Sequence, residues 1–380
     1  MTKLGIVAGE SSGDQLGAQL IEALRELNPE VEIFGMCGPK MRAAGCQALA
    51  DIEELSVMGV VEVLRKYPSL VKLRSRLTKE LLALDLDAFV GIDVPDFVHH
   101  IERRLKNQGV KTAHYVAPQV WAWRPNRAKK LADTIDMLLV LFPFERDFFS
   151  HYGVDTRFVG HPLVKRIPDP VDRVAACREL KLSAEKKYIA LMPGSRRQEL
   201  MRHCDLFFEV AERIKDAHPD YEFIVGAVHE RGREYIEQIR ANYSCGERAT
   251  VVVGKSHEVL AVADVALVVS GTVTMEALVS KTPMVVAIQI ANLSYQILRR
   301  LVQTPYVAMP NVLANQAIVP EFVQDEATVD NLATALDNWL MDSKSKDEFS
   351  VRATTLRASL EVNDGRSAAV AVNELITESI

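Results

Sequence analysis

The chain has 380 residues, of which 48% are hydrophobic and 25% are charged. This composition is typical of a soluble globular protein and excludes a disordered chain or a fibrous repeat. The length predicts two domains, because one domain usually has roughly 100–200 residues. Lysine and arginine number 45 against 51 aspartates and glutamates, so the net charge of −6 argues against nucleic-acid binding through the overall field.

Neither a membrane span nor an export signal is expected. The longest unbroken apolar run is Met137 to Phe142, whereas a span needs about 20 residues. The N-terminus lacks the long apolar stretch and cleavage site of a secretory signal. The cysteines are odd in number and contain no CxxC, which indicates reduced thiols in a cytoplasmic protein and neither a disulfide framework nor a zinc site.

Short apolar runs alternate with helical patterns through the first half of the chain. Strands are predicted at residues 4–8, 31–35, 87–92, 111–116, 137–142 and 155–159. Helices are predicted near residues 14–27, 98–107 and 128–133. This alternation indicates a parallel sheet with helices on both faces.

The segment 162–170, PLVKRIPDP, contains three prolines and is predicted to be a linker. The alternation then restarts, with strands predicted at 188–192, 222–226, 249–253, 265–269 and 284–288. Helical patterns return from residue 329. We therefore predict two α/β domains of the same type at 1–165 and 171–345, followed by a C-terminal helical segment at 346–380.

In open parallel sheets, ligands bind at the carboxyl ends of the strands, so the loops after the strands are the candidate sites. The first loop contains Gly9, Glu10, Ser11 and Ser12 and is predicted to line a cleft for an acceptor. Its G-x-S-x-G spacing matches the nucleophile elbow of hydrolases, but only one strand lies upstream, whereas that elbow needs an earlier loop for its oxyanion hole. A turn capped by serine or aspartate is the structural alternative.

Asp93 follows the strand predicted at 87–92, in the sequence GIDVPDF. A carboxylate at this position is well placed for general base catalysis, with a cap or turn role as the alternative. Asp96 is expected to cap the next helix instead. His114, before the next loop, is expected to be a core histidine, with a place in the lining of the cleft as the alternative.

Aromatic and basic residues follow the fourth predicted strand in PQVWAWR, residues 118–124. Trp123 and Arg124 suit a sugar or a phosphate-bearing acceptor. Core tryptophan is the equally weighted alternative.

Two loops in the second half have the composition of phosphate cradles. Gly194, Ser195 and Arg196 lie between a strand and a helix, where backbone N–H groups and a guanidinium can bind an anion. A second loop places small residues before a helix and Glu276 one turn into it, where that carboxylate could bind ribose; the small residues are Ser270, Gly271 and Thr272. The alternative for Glu276 is a capping box. Asn311 could bind a nucleotide or sugar, and no metal site is expected.

A basic, apolar stretch interrupts this acidic chain. Residues 55–79 contain one acid, Glu62, among six lysines and arginines. Such a pattern favours an anionic lipid surface or a lipid substrate, and an ordinary core-facing helix is the alternative. The residues predicted to form this lipid patch are Val61, Val63, Leu64, Arg65 and Lys66.

Seven blocks, in order along nearly the whole chain, together resemble the lipid-A-disaccharide synthase family. They are AGESSGD at 8–14, GIDVPDF at 91–97, PQVWAWR at 118–124, FVGHP at 158–162, MPGSRRQE at 192–199, SGTVTMEAL at 270–278 and MPNVLAN at 309–315. The sequence departs from the family's pattern at Gln119 and at residues 273–275, and neither departure removes a residue with an assigned role.

The resemblance implies a GT-B glycosyltransferase fold, with two Rossmann-like domains facing across a cleft. The C-terminal helices would pack back or be swapped between the protomers of a homodimer. The implied reaction transfers 2,3-diacylglucosamine from UDP-2,3-diacylglucosamine to 2,3-diacylglucosamine 1-phosphate (lipid X). The products would be the β-1,6-linked lipid A disaccharide 1-phosphate and UDP, made without metal or cofactor by a protein peripheral to the cytoplasmic face of the inner membrane.

The resemblance also implies roles for individual residues. Asp93 would take the proton of the acceptor 6-hydroxyl in an inverting displacement, and Arg196 would hold the donor diphosphate. Glu276 would bind ribose, and Asn311 would lie near the nucleotide. The competing hypotheses are a UDP-sugar 2-epimerase on the same fold, a serine hydrolase that uses Ser11, and a non-catalytic sugar-binding protein.

Overall fold

The computed structural model describes residues 2–55, 60–302, 304–362 and 367–377; the side chains of 60–66, 293, 294 and 297 also lie outside what it describes. The chain forms two compact units. The first comprises Met1–Pro162 together with Leu360–Ile380, and the second comprises Leu163–Ser359. The C-terminal segment predicted at 346–380 is therefore divided between the two units.

The first unit is built on a parallel sheet of seven strands in the order β3-β2-β1-β4-β5-β6-β7. The strands are β1 Lys3–Ala8, β2 Glu32–Cys37, β3 Gln47–Asp51, β4 Ala88–Ile92, β5 Lys111–Tyr115, β6 Met137–Val140 and β7 Thr156–Phe158. All six strands predicted for this half are present, and β3 is an additional edge strand. Its sequence QALAD is mostly exposed or half-buried, so it lacks the continuous apolar run of a strand buried on both faces.

Helices cover both faces of this sheet. Those that follow its strands are α1 Ser11–Leu27, α2 Pro39–Ala43, α3 Val60–Leu82, α4 Pro95–Lys106, α5 Val120–Trp123, α6 Arg127–Ala132 and α7 Pro143–His151. The apolar side chains of the strands point into clusters with these helices; in one, Val98 and Ile101 of α4 pack with Phe89 of β4. Burial of such side chains is the main stabilising contribution to the unit.

The second unit is built on a parallel sheet of six strands in the order β10-β9-β8-β11-β12-β13. The strands are β8 Lys187–Met192, β9 Tyr221–Ala227, β10 Ala249–Val253, β11 Val265–Val269, β12 Met284–Ile288 and β13 Glu321–Val323. The five strands predicted for this half are present. The sixth, β13, has only three residues and was not predicted.

The helices of the second unit begin inside the predicted linker. They are α8 Pro162–Arg166, α9 Arg173–Leu180, α10 Arg197–Ala217, α11 Glu230–Arg240, α12 Ser256–Val262, α13 Thr272–Val279, α14 Asn292–Leu301, α15 Met309–Ala314, α16 Val329–Met341 and α17 Ser343–Ser359. The linker prediction is thus wrong for its first part, because Pro162 occupies the first position of a helix, where proline is well tolerated. No helix among the described residues has the length and hydropathy to cross a membrane.

The last helix, α18 (Ala368–Thr377), packs back onto the first unit of its own chain. Its buried residues join the core that also contains Ile21 and Leu24 of α1; they are Ala369, Ala371, Val372, Leu375 and Ile376. The chain leaves the first unit near His161 and re-enters it near Leu360. These two points are hydrogen-bonded, since His161 N–H donates to the Leu360 carbonyl at 2.9 Å.

Both sheets reverse their strand order at one internal position. In the first sheet this switch point lies between β1 and β4, and in the second it lies between β8 and β11. The helices that follow the two central strands leave on opposite faces, which opens a crevice at the carboxyl ends of the strands. Each unit therefore has one such crevice, and each crevice is lined by loops that the sequence marks as candidate sites.

Candidate functional site

The switch point of the first unit brings the loop after β1 against the loop after β4. A Cβ built on Gly9 would lie 2.6 Å from Val94 Cγ2 and 2.6 Å from Leu55 Cδ2. Any larger residue at this position would therefore force the two loops apart. The absence of a side chain at Gly9 places the predicted acceptor loop directly beside the Asp93 loop.

Asp93 lies in a strained turn between β4 and α4. Its φ is 53° and the φ of Val94 is 43°, so two consecutive non-glycine residues adopt the left-handed conformation. Such a conformation is costly for a β-branched residue and persists only when surrounding contacts impose it. Asp93 N–H donates to the Tyr115 carbonyl at 3.0 Å, and Asp93 Oδ1 accepts from Val94 N–H at 2.8 Å.

The turn aims a half-buried Asp93 side chain from the carboxyl end of a central strand. Asp96 does not cap the following helix as predicted. Helix α4 begins at Pro95 with Val94 as its N-cap, and Asp96 is exposed in its first turn. Of these two carboxylates, Asp93 is the better candidate for a base, because hydrogen bonds with the backbone hold it in the crevice, whereas Asp96 is exposed.

Glu10, Ser11 and Ser12 are exposed at the start of α1, beside the Asp93 loop. Ser11 is the first residue of this helix, and Glu10 precedes it in an extended conformation without a side-chain cap. A nucleophile elbow requires a strained serine, whereas Ser11 is not among the described residues with positive φ. The geometry thus favours a ligand-facing helix terminus over the hydrolase alternative.

Asp14, in the same helix, has a capping role, as the structural alternative for this loop allowed, but it caps α2 and not its own helix. It is 2% exposed. Its Oδ1 accepts from the backbone N–H of Gly38 at 2.8 Å and of Met41 at 3.1 Å, and its Oδ2 accepts from that of Lys40 at 2.9 Å. These bonds satisfy the N-terminus of α2 and fix the acceptor loop to the end of β2.

Trp123 and Arg124 form a stacked pair after β5. The Arg124 Cζ atom lies 4.2 Å from the centroid of the Trp123 ring, so the predicted acceptor-binding residues present a combined cationic and aromatic surface. The neighbouring Trp121 has a structural partner, because its indole N–H donates to Glu145 Oε1 at 3.2 Å. Burial raises the pKa of Glu145 to about 8.

In the second unit, Gly194, Ser195 and Arg196 follow β8 at the switch point. The backbone N–H groups of Ser195 and Arg196 both donate to Glu199 Oε2, at 2.8 and 3.1 Å. The backbone N–H groups that were expected to bind an anion are thus occupied by a carboxylate of the same helix, and the predicted phosphate cradle stays a prediction. The Arg196 side chain is 79% exposed, and its guanidinium lies 4.0 Å from Glu199 Oε1. An anion bound by Arg196 would therefore compete with a loose, solvent-exposed ion pair.

The second predicted cradle follows β11, the other strand of this switch point. Ser270 and Gly271 precede α13, which begins at Thr272, and Gly271 supplies no side-chain cap. A Cβ on Gly271 would meet no atom within 4 Å among the described residues, so this helix terminus is open. Helix termini of this kind bind phosphate well.

Glu276 lies in the first turns of α13 and is 8% exposed. Its Oε1 lies 3.3 Å from the Arg166 guanidinium, and its buried Oε2 has no hydrogen-bond partner within the described part of the chain. The capping-box alternative is wrong, because Glu276 binds an arginine of α8 and not its own helix start. His257 Nδ1 lies 3.7 Å from Oε2, and burial, with a smaller effect of Arg166, lowers the pKa of His257.

Asn311 is completely buried, and its side chain is occupied within the protein. Its Oδ1 accepts from Ile318 N–H at 2.8 Å and from Val319 N–H at 3.0 Å. Its Nδ2 donates to the Val319 carbonyl at 2.9 Å and to Glu321 Oε2 at 3.2 Å. This geometry argues against the predicted direct contact with nucleotide and indicates that Asn311 shapes the turn before β13.

The residues of the predicted lipid patch fall within α3, which runs from Val60 to Leu82. The side chains of Val61, Val63, Leu64, Arg65 and Lys66 lie outside the described residues. The patch therefore stays a prediction. The next part of the helix buries Leu73 and Leu77 in the first unit's core and exposes Tyr67 and Val71.

The structure brings together one cluster that sequence reasoning missed. His99 and Glu102, three residues apart on α4, meet His114 of β5, and the metal-ligating atoms of the three lie within 4.8 Å of one another. His114 is completely buried, as expected for a core histidine, and so is Glu102. The partnership was not visible in the sequence, because it depends on how α4 packs against the pairing of β4 with β5.

Comparison with solved structures shows the fold. The UDP-GlcNAc 2-epimerase from Neisseria meningitidis aligns with a TM-score of 0.66 at 10% identity, covering 100% of both chains. The glycotransferase of kitacinnamycin aligns with a TM-score of 0.64 at 16% identity, covering 100% of this chain and 99% of that one. These likenesses and the two parallel sheets confirm the predicted fold class, α/β with two Rossmann-like units.

Comparison with sequences is more specific. The family described as lipid-A-disaccharide synthetase matches residues 4–375. The lipid-A-disaccharide synthase of Pseudomonas paraeruginosa is 43% identical over 374 residues, with 98% of each chain covered. That of Serratia proteamaculans is 40% identical over 372 residues, covering 98% of this chain and 97% of the relative. The chain thus belongs to the lipid-A-disaccharide synthetase family.

Proposed function

We propose that this protein is the glycosyltransferase that forms the lipid A disaccharide. It transfers 2,3-diacylglucosamine from UDP-2,3-diacylglucosamine to the 6-hydroxyl of lipid X and releases UDP. Membership of the family over nearly the whole chain supports the reaction. The observation that supports the residue roles is Asp93, held at the switch point by two backbone hydrogen bonds.

The chemistry requires a base and a stabilised leaving group. The donor's anomeric bond is α and the product's is β, so a single displacement inverts the anomeric carbon. Asp93 takes the proton from the acceptor hydroxyl as that oxygen attacks, which makes the oxygen a better nucleophile. Glu10, Ser11 and Ser12 beside Asp93, together with the Trp123–Arg124 pair, bind the acceptor sugar and its phosphate.

The donor binds to the second unit. The guanidinium of Arg196 and the open terminus of α13 at Ser270, Gly271 and Thr272 hold the diphosphate and stabilise the negative charge that develops on UDP. Glu276, with one buried oxygen unpartnered, accepts hydrogen bonds from ribose. Asn311 supports this site indirectly, by fixing the turn before β13.

In this proposal the protein acts at a membrane surface. It also acts as a homodimer. Both substrates carry acyl chains, which partition into lipid, and the basic, apolar start of α3 suits the cytoplasmic face of the inner membrane. The residues that contact the membrane are Val61, Val63, Leu64, Arg65 and Lys66.

The test is a coupled assay of UDP release in detergent, with UDP-2,3-diacylglucosamine as donor, with and without lipid X. We expect UDP release to require lipid X and to match the disaccharide formed, measured by mass spectrometry. UDP release that ignores lipid X would refute the transferase. Conversion of the donor to a 2-epimer without UDP release would establish the epimerase instead.

A further inference from the structure

Glu102 and His114 form a buried, hydrogen-bonded pair below the Asp93 turn. Both residues are 0% exposed. His114 Nδ1 donates to Glu102 Oε1 at 2.7 Å, and His99 Nδ1 donates to Glu102 Oε2 at 2.7 Å. Burial acts to raise the pKa of Glu102, but His114 and His99 outweigh burial and hold that pKa below its usual value. The two histidines therefore favour the charged form of this buried carboxyl group.

The backbone of β4 is shaped around this carboxylate. Gly91 pairs in register with His114 on the neighbouring strand, so the two positions face the same side of the sheet. A Cβ on Gly91 would collide with Glu102 Oε1 and with Val98 Cγ1. The missing side chain leaves a niche over β4 through which Glu102 of α4 reaches His114 of β5.

The niche lies two residues before Asp93. Asp93 N–H is bonded to the carbonyl of Tyr115, the residue after His114. The strained pair Asp93–Val94 is thus fixed on one side by β5 and on the other by α4, and Glu102–His114 joins α4 to β5. A strained turn keeps its conformation only when its surroundings impose it, and the Glu102–His114 pair is one of the polar contacts that hold α4 on β5 beside this turn.

We propose that Glu102 and His114 are positioning residues for Asp93, which hold the start of α4 on β5 so that the Asp93 carboxylate stays in reach of the acceptor hydroxyl. This inference rests on the proposed role of Asp93 as the base. A metal at the same three residues is the competing explanation. It is disfavoured because each histidine Nδ1 lies only 2.7 Å from a carboxylate oxygen, which is closer than two ligands of one tetrahedral metal ion stand to each other. His114 Nε2 has no hydrogen-bond partner within the described part of the chain.

The test compares Glu102→Gln with Ile101→Val, a matched control on the same helix that removes one buried methylene and leaves the pair intact. For each variant, kcat and donor KM are measured in the disaccharide assay, UDP affinity by calorimetry and Tm by circular dichroism. We expect Glu102→Gln to lower kcat by about 10–100-fold, the cost of misplacing a catalytic group by about 1 Å. Donor KM and UDP affinity should stay within about threefold, because the donor loops lie in the other unit.

A second pair of variants tests the hydrogen bond itself. His114→Gln keeps an N–H donor near Glu102, whereas His114→Leu removes it. We expect His114→Gln to turn over at least about tenfold faster than His114→Leu at comparable Tm. This comparison also decides the matter if Glu102→Gln does not fold.

Three results would overturn the inference: Glu102→Gln with kcat within threefold of wild type, Ile101→Val with an equal loss of kcat, or loss of wild-type activity in EDTA that Zn²⁺ restores. Failure of the proposed function is separable, because it shows in the wild type as an absence of disaccharide.

Discussion

Replacing Asp93 by asparagine isolates proton transfer from the geometry of the turn. Asparagine tolerates the left-handed conformation about as well as aspartate, and its amide oxygen can still accept from Val94 N–H, which Asp93 Oδ1 now accepts at 2.8 Å. The variant loses only the negative charge and the ability to take a proton. We expect kcat to fall by about 10²–10⁴, the usual contribution of a general base, which corresponds to about 2.7–5.4 kcal/mol of activation free energy.

The stability cost should be small by comparison. Exchanging a charge-assisted hydrogen bond for a neutral one costs about 1 kcal/mol, or about 2–4 °C in Tm for a unit of this size. The matched control is Asp96→Asn, three residues along in the first turn of α4. It loses a comparable interaction with the helix dipole, about 0.3–1 kcal/mol, and touches no part of the proposed chemistry.

The assay measures disaccharide formation at saturating donor and acceptor, with UDP affinity determined separately by calorimetry. Asp93→Asn should bind UDP normally, and Asp96→Asn should behave as wild type in both measurements. Retention of more than a tenth of wild-type kcat in Asp93→Asn would refute the assignment of the base. An equal loss in Asp96→Asn would assign the effect to α4 and not to the carboxylate.

Three further predictions concern binding, pH and membrane association. Arg196→Ala should weaken UDP binding by roughly 10–150-fold, from the loss of about 1.5–3 kcal/mol of charge-assisted hydrogen bonding. The control is Arg202→Ala on α10, whose guanidinium donates to the Gln198 carbonyl of the same helix at 3.1 Å and which should leave UDP affinity unchanged. Equal affinities of Arg196→Ala and wild type by calorimetry would make Arg196 a surface charge. Because burial raises the pKa of Glu145 to about 8 from an ordinary 4.5, the folded state holds a proton that the unfolded state has lost. The free energy of unfolding should therefore decline by up to about 1.4 kcal/mol per pH unit between those values, and urea titrations of Glu145→Gln should show a shallower decline; an unchanged slope would contradict this assignment. Replacing Val61, Val63 and Leu64 together by serine should lower co-sedimentation with anionic vesicles at least about tenfold. The control is Met341→Ser, which changes an exposed apolar residue of the second unit. Undiminished vesicle binding of the triple variant would place the patch in the core.

The parts of the fold that sequence predicts are those with a strong local signal. Strands such as β4 and β11 are buried on both faces and are therefore continuous apolar runs. The edge strand β3 carries exposed Gln47 and Ala48, and β13 has only three residues, so neither stands out. The first part of the proline-rich segment 162–170 is helical because its first proline suits a helix start.

The candidate site also has parts that the sequence predicts and parts that it does not. The crevice loops were predictable, because in a parallel sheet they must follow the carboxyl ends of the strands. The hydrogen bonds that these residues make within the protein were not predictable. Glu199 accepts the backbone N–H of Ser195, and the side chain of Asn311 is used in hydrogen bonds of the turn before β13. The Glu102–His114 pair was also not predictable. The two residues lie on different elements, and only the register of the strands brings them together; no helical or strand periodicity in the sequence connects them.

The return of α18 to the first unit has a consequence for how the chain is made. The core around Ile21 and Leu24 is completed by residues from the last helix, so the first half of the polypeptide cannot bury that apolar surface while it is being synthesised. It must wait for the roughly 200 residues of the second unit to leave the ribosome, about 10–40 s at 5–20 residues per second. During that interval this apolar surface stays exposed to solvent, and a truncation that removes α18 would destabilise the N-terminal half of the chain, whose core that helix completes.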